Sequence, residues 1–487
     1  MSSFSLTETW KTISRAEPRT EARRTKIVCT LGPATTDPET IFELAVAGMD
    51  VARLNFSHGT HAEHLARLRA VREAQERVGR PIAVLGDLCG PKIRVAGLER
   101  PIQVAAGDTL VLTEPRSAAA GEIGVTFPGL AQIVAPGQAV LIDDGRVRAR
   151  AESSDGTRLI CIVEVGGTIA PSKGVNLPAT VLPIPALTAK DEADLEFALA
   201  AEVDYVGLSF VRSPADIAEL RHRIDAAGSP ARIVAKIEKA EAVANLDAIL
   251  QLSDAAMVAR GDLGVEIGVS QVPLLQKHII LRARELGKAV ITATQMLESM
   301  IHEAEPTRAE ASDVANAILD GTSAVMLSAE TAAGDFPLRA VAVMDTIART
   351  VEPSLAYERG AGQREDIAGI LTHAACDLAD DARAALIAVS TETGDTARRV
   401  SRCRPQRPIV AAATSPSVLQ QLALEWAVVP VRVGESASIE DGWTTILDEV
   451  EELGLAGVGD TIVMTGRADA PQGSMMHVSV HRIGDER

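Results

Sequence analysis

The chain has 487 residues, of which 46% are hydrophobic and 23% charged, the profile of a folded globular protein with room for two or three domains. Its net charge of −18 argues against a nucleic-acid or anionic-membrane partner, so any phosphate it binds must meet locally placed cations. Five scattered cysteines, Cys29, Cys89, Cys161, Cys376 and Cys403, form no C-x-x-C pair, which argues against a zinc site and a disulfide framework and fits a reducing cytoplasm.

Residues 1–24 form a polar N-terminal segment without the apolar core of a signal peptide. From Lys26 onward, short β-branched runs alternate with amphipathic segments. The runs centre on Ile27-Val28, Val51-Leu54, Ile82-Leu85, Tyr205-Phe210, Ile233-Ala235, Ala256-Val258, Ala289-Ile291 and Ala324-Leu327. Near-continuous apolar runs are the mark of parallel strands buried on both faces. Helix starts between them carry capping signals at Asp37-Pro38, Thr188-x-x-Asp191, Ser213-Pro214 and Thr307-x-x-Glu310. Gly48, Gly79, Gly287 and Gly321 stand where helices stop. Eight such units predict a TIM (β/α)8 barrel over residues 25–91 and 185–350.

Residues 92–184 break this rhythm. They alternate like strands and carry turn signals at Asp143-Asp144-Gly145 and Asp155-Gly156. This predicts a small β-barrel domain inserted after the third strand and placed as a lid. The uncharged run Ile123–Ile142 is interrupted by Pro128, Gly129, Pro136 and Gly137, so no membrane span is predicted. A linker, Glu358–Asp366, then leads into a C-terminal α/β domain within residues 351–487, with strands at Ala385-Val389, Ile409-Ala413, Val428-Val431, Ile462-Met464 and Val478-Val480.

Catalytic groups of a TIM barrel sit at the C-terminal ends of its strands. The second strand ends in Arg53-Leu54-Asn55-Phe56-Ser57 and the third in Asp87. The fifth ends in Lys236-Ile237-Glu238, and the sixth runs into Arg260-Gly261-Asp262. The seventh reaches Thr292 and Thr294, and the eighth Ser328 and Glu330. Residues two apart on a strand share a face, so Lys236 and Glu238 point into one site while Ile237 packs behind. Glu238 and Asp262, placed on adjacent strands, suit Mg²⁺ or Mn²⁺, which take oxygen ligands and complete their shell with substrate oxygens. Arg53 and Lys236 add positive charge for a phosphoryl group. A lone Lys-x-Glu is ordinarily a solvated surface pair, and a lone strand-end Arg ordinarily a salt bridge. The gathering of all of them on one barrel face favours a metal-dependent enzyme acting on phosphate compounds.

Longer motifs carry a resemblance. Lys26-Ile27-Val28-Cys29-Thr30-Leu31-Gly32-Pro33-Ala34, Arg53-Leu54-Asn55-Phe56-Ser57-His58-Gly59 and Lys173-Gly174-Val175-Asn176-Leu177-Pro178 resemble segments of the pyruvate kinases. So do Lys236-Ile237-Glu238, Met257 through Glu266, Ala293 through Met300, Pro306 through Glu310, and Met326 through Thr331. The resemblance spans roughly residues 25 to 480, and it implies transfer of phosphate from phosphoenolpyruvate to ADP, giving pyruvate and ATP. It implies Glu238 and Asp262 as ligands of Mg²⁺ or Mn²⁺, Lys236 as the stabiliser of the phosphoryl group in flight, and Arg53 as a phosphate binder. Gly261, Asp262 and Thr294 would hold the substrate carboxylate, and Thr294 would join the relay that protonates the enolate. Asn55, His58, Arg94 and Lys190 would approach the nucleotide, which brings a second metal ion. A homotetramer is likewise implied.

One departure is informative. Potassium-dependent members of that family read Asp-Thr-Lys-Gly-Pro-Glu where this chain reads Asp87-Leu88-Cys89-Gly90-Pro91-Lys92. Lys92 is therefore expected to stand in for K⁺ beside Asn55, Ser57 and Asp87, so that K⁺ is not required. In the C-terminal domain, Ser390, Thr391, Thr393 and Thr396 follow a strand and precede a helix, and offer a phosphorylated allosteric effector its contacts. Arg398, Arg399, Arg402 and Arg404 read most simply as a solvated helix face. Two rivals remain in view: a Schiff-base aldolase with Lys236 as nucleophile, and a catalytically silent metabolite sensor.

Overall fold

The computed structural model describes residues 23–119, 121–178, 180–355, 366–434, 439–470 and 473–484. Most of the N-terminal segment and nearly all of the expected linker Glu358–Asp366 lie outside them. Among the described residues, eight parallel strands close into a barrel. They are Lys26–Leu31, Val51–Asn55, Ala83–Asp87, Tyr205–Leu208, Arg232–Ile237, Ala255–Ala259, Ala289–Ala293 and Ala324–Leu327. These are the eight runs expected from the sequence. Closure comes from the first strand pairing with the eighth, Lys26 opposite Ala324 and Cys29 opposite Leu327.

Both faces of the strands are buried. Val28, Val51, Leu85, Tyr205, Val234, Met257, Ile291 and Met326 fill the barrel interior, while alternate residues pack outward against the helices. Capping boxes start three helices where the sequence placed them, at Thr188 with Asp191, Ser213 with Asp216 and Thr307 with Glu310. Asp37 precedes its helix too, but its side chain makes no cap hydrogen bond. Gly79 ends the helix His61–Val78 at φ +68, a left-handed turn that favours glycine.

The insertion forms a seven-stranded sheet running in space from Val175–Asn176 to Val95–Ala96, with a two-stranded ribbon beside it. An antiparallel bridge, Arg94 to Gly174, joins the two edges of that sheet and rolls it into the small barrel anticipated. It has its own core, including Leu112, Ile123, Val140, Val147 and Leu159.

The C-terminal domain has a five-stranded sheet, four strands parallel and Gly473–Arg482 antiparallel at one edge. It seals the bottom of the barrel. Ala423 and Leu424 belong to the same buried cluster as the barrel interior, and Tyr205 donates its hydroxyl to the Gln421 carbonyl at 2.8 Å. Of the arginines expected on a solvated helix face, Arg399 stays at the surface, paired with Asp366 and Asp395, whereas the other three are drawn inward. Arg404 donates to the carbonyls of Gly321 and Thr322 and lies over the Trp426 ring. Arg402 donates to the Glu285 carbonyl, and Arg398 lies 3.4 Å from Glu425 with 11% of its side chain exposed. Carbonyls at the ends of barrel helices take up Arg402 and Arg404, and Glu425 takes up Arg398, so the reading of an exposed charge row is corrected for these three.

Candidate active site at the barrel mouth

A continuous chain of charge crosses the barrel mouth. Arg53 grips Asp87 through Nε at 2.7 Å and Nη2 at 2.6 Å, and its Nη1 donates to Thr30 at 3.0 Å. Lys236 Nζ lies 3.4 Å from the other Asp87 oxygen and 2.8 Å from Glu238 Oε1. It also donates to Ser209 Oγ at 2.5 Å, and Ser209 donates onward to the Leu88 carbonyl at 2.8 Å. Ile237 is fully buried behind, as strand alternation requires.

Burial alone would discharge Lys236, but Asp87 and Glu238 overcome it and hold the ammonium above the usual lysine range. Burial would likewise raise Asp87, but Lys236 and Arg53 keep its carboxyl below the usual range. Glu238 goes the other way. Its burial dominates, Asp262 adds repulsion, and Lys236 only partly offsets them, so its pKa is raised.

Glu238 Oε2 accepts the Phe210 N–H at 3.1 Å. Phe210 reaches it from a left-handed backbone, φ +62, a conformation a bulky side chain rarely adopts without a reason in its surroundings. Oε1 is buried, with the Lys236 ammonium 2.8 Å away. It is a desolvated anionic oxygen with capacity for a further electrophile. Asp262, expected on a strand beside that of Glu238, sits instead in the first turn of the helix Arg260–Ile267, directly after the sixth strand. Among the described residues no three carboxylate, histidine or cysteine groups converge as a metal cage. Two carboxylates, one with a buried oxygen met by a single ammonium, fit a hard divalent cation that completes its shell with water and substrate.

Gly261 donates its N–H to Thr294 Oγ1 at 2.9 Å. Thr294 and Gln295 also have left-handed backbones, φ +70 and +55. Arg260 holds them there: its guanidinium donates to both of their carbonyls and pairs with Asp313. The sequence reading passed over this role, since Arg260 looked like one letter in a motif. Thr292, expected at the mouth, is in the barrel wall, fully buried and bonded to Thr322. Glu330 accepts the Leu297 and Ser328 N–H groups and shapes those loops from below. Ser328 Oγ is buried without a partner.

The inserted domain closes over this mouth and leaves a cavity of about 300 Å³. Lys236, Glu238 and Asp262 line it from the barrel, and Lys92, Arg94, Asp143 and Lys173 from the insertion. Lys173 pairs with Asp143 at 2.8 Å, a contact its motif alone does not reveal. Lys239 and Glu266 line the cavity too and were not singled out. Their signal was available: one follows Glu238 directly, the other is a helical turn past Asp262. A second cavity of about 690 Å³, on the far side of Asp262, includes Gly261 and Gln295.

Lys92 Nζ is 3.4 Å from Ser57 Oγ, and the residue is exposed. Asn55 accepts the Ser57 N–H at 3.2 Å. His58 is held below its usual pKa by burial and by Lys92, Arg94 and Arg53. Arg94 donates to the Ser172 carbonyl at 2.9 Å. Lys190 turns away from the cavity, to the Phe56 carbonyl at 2.6 Å and Asp194 at 2.5 Å. In the C-terminal domain, Ser390, Thr391, Thr393 and Thr396 do meet at one strand-to-helix turn. There Thr391 Oγ1 accepts the Gly394 N–H at 3.0 Å, and the Thr393 carbonyl accepts Arg398.

The model of the pyruvate kinase barrel domain matches residues 22–341, and that of the pyruvate kinase alpha/beta domain residues 370–481. A pyruvate kinase of Mycobacterium intracellulare is 44% identical over 473 residues, covering 96% of this chain and 99% of that one. Another, of Corynebacterium glutamicum, is 42% identical over 479 residues, covering 95% and 98%. Among solved structures, a pyruvate kinase from Cryptosporidium parvum superposes with a TM-score of 0.89 at 36% identity, covering 94% of this chain and 96% of that one.

Proposed function

This chain belongs to the pyruvate kinase family, and on that premise we propose that it transfers the phosphoryl group of phosphoenolpyruvate to ADP, with Mg²⁺ or Mn²⁺ on Glu238 and Asp262. The observation that carries this reading is the Lys236 ammonium, held between Asp87 and Glu238 under the inserted domain. An ammonium kept charged in a desolvated cleft is a preorganised partner for phosphoryl oxygens. It is also a poor Schiff-base nucleophile, which sets the aldolase reading aside.

Arg53, fixed by Asp87 and Thr30, presents a second cation whose orientation is set before substrate arrives. The substrate carboxylate is met at the N-terminus of the helix Arg260–Ile267, where Gly261 exchanges Thr294 for the ligand. That exchange frees the Thr294 hydroxyl to act in protonating the enolate. A divalent ion held by Glu238 and Asp262 would supply charge neutralisation for the phosphoryl oxygens. Asn55, His58 and Arg94 serve the nucleotide side, Lys190 joins them by exchanging Asp194 and the Phe56 carbonyl for the ligand, and closure of the inserted domain excludes water.

Lys92 takes the place of a monovalent cation, supported by its reach to Ser57 and by the loss of a threonine hydroxyl at Leu88. Family likeness further supports a cytoplasmic homotetramer with an effector turn at Ser390, Thr391, Thr393 and Thr396. A coupled assay with phosphoenolpyruvate, ADP and Mg²⁺ tests the main reading. Turnover is expected, and its absence, or its persistence in Glu238→Gln, refutes it. With tetramethylammonium as the sole monovalent cation, activity is expected to hold. Collapse there with rescue by KCl refutes the role of Lys92.

A further inference from the structure

Two side chains at the mouth have no part in the mechanism above. Lys239 follows Glu238 in sequence, and Glu266 lies four residues beyond Asp262 on the same helix face. They form an ion pair whose side chains are only 8% and 2% exposed. A buried ion pair gains little stability, because desolvating both charges offsets their attraction. Its position therefore calls for another explanation. One partner is anchored to the strand end that carries Glu238, the other to the helix that carries Asp262.

The surroundings stiffen this link. Lys239 Nζ lies 4.9 Å from the Phe210 ring centroid, and the same Phe210 gives its N–H to Glu238. Glu266 Oε2 is buried without a hydrogen bond, so Lys239 is what holds that carboxylate. We propose that the Lys239–Glu266 pair is a strut that fixes the separation of Glu238 and Asp262 and so sets the affinity of the mouth for a divalent cation. Both are positioning residues, and the proposal rests on Glu238 and Asp262 being the metal ligands.

The strut predicts a sign opposite to that of simple electrostatics. Removing a cation beside a metal site should by charge alone tighten binding. Loss of the strut should loosen it. The measurement is Mn²⁺ binding to the full-length protein without substrates, followed by the electron paramagnetic resonance of free Mn²⁺. Lys239→Met, and Lys239→Met with Glu266→Met, are expected to weaken Mn²⁺ binding about ten- to a hundredfold, the usual cost of losing an outer-shell partner. The double variant replaces a buried pair by apolar side chains and should keep its thermal midpoint. Lys239→Arg should restore wild-type affinity. Glu266→Asp keeps both charges and shortens the strut, and is read in the same way if the double variant does not fold. Unchanged or tighter Mn²⁺ binding in these variants overturns the strut. Mn²⁺ binding that survives Glu238→Gln overturns the ligand assignment, and the strut with it.

Discussion

The two ends of the barrel each bury a lysine, and the two behave oppositely. At the mouth, Lys236 has Asp87 and Glu238 within 3.4 Å and is held above the usual lysine range. At the bottom, Lys26 Nζ donates to the Val428 carbonyl at 2.6 Å. Burial there outweighs the attraction of Asp50, Arg23 and Arg80 add repulsion, and the pKa falls to about 8. Both residues are almost fully enclosed, at 9% and 5% exposure. Burial is common to both, so the partner decides: carboxylates make a permanent cation for chemistry, whereas a carbonyl makes a hydrogen bond at a domain seam.

The sharpest way to break this contrast is to remove each group that defines it. Lys236→Met should lower kcat by about 10³-fold, near 4 kcal/mol in the barrier, while the fold stays intact. Steady-state kinetics beside a melting curve checks both halves. At the other end, Leu424→Ala should leave the chemistry alone and cost about 3 kcal/mol of stability, because it opens a cavity under the barrel floor. A denaturant titration reads that loss.

Lys26 gives a pH signature. Its folded pKa of about 8 lies below the unfolded value of ~10.4, so between those limits the unfolded chain keeps a proton that the folded one has released. Raising the pH through that window therefore favours the folded state, by at most about 3 kcal/mol relative to Lys26→Met. Lys236 should show no gain there, since its folded pKa lies above the window. Paired unfolding curves at pH 7.5 and about 10 decide the matter. The smallest effect belongs to Arg260→Lys, which loses the forked grip on the Thr294 and Gln295 carbonyls. It should cost about tenfold in kcat, with little change in stability.

The sequence made the barrel legible because each strand is a short apolar run with a helix signal after it. The same logic put Lys236, Glu238, Arg53 and Asp87 at one mouth. What stayed hidden depends on long-range geometry. Arg402 and Arg404 looked solvated because nothing local says that barrel carbonyls cover them. Arg260 and Glu266 act across elements, on the Thr294 turn and on Lys239. Lys190 satisfies a motif position yet turns to Asp194, because an i,i+4 carboxylate is the nearer partner. The left-handed turns at Phe210 and Thr294 defy residue preference and show only in three dimensions.

The plug of Ala423 and Leu424 in the barrel floor bears on how such chains can be recombined. A C-terminal domain that completes the core of its neighbour is not a detachable module. Grafting one from a relative onto this barrel would bring other side chains to the places of Ala423 and Leu424 unless the floor were exchanged with it. Gene shuffling that cuts at the domain junction should therefore yield aggregates, and shuffling that carries the floor residues along should yield folded chimeras.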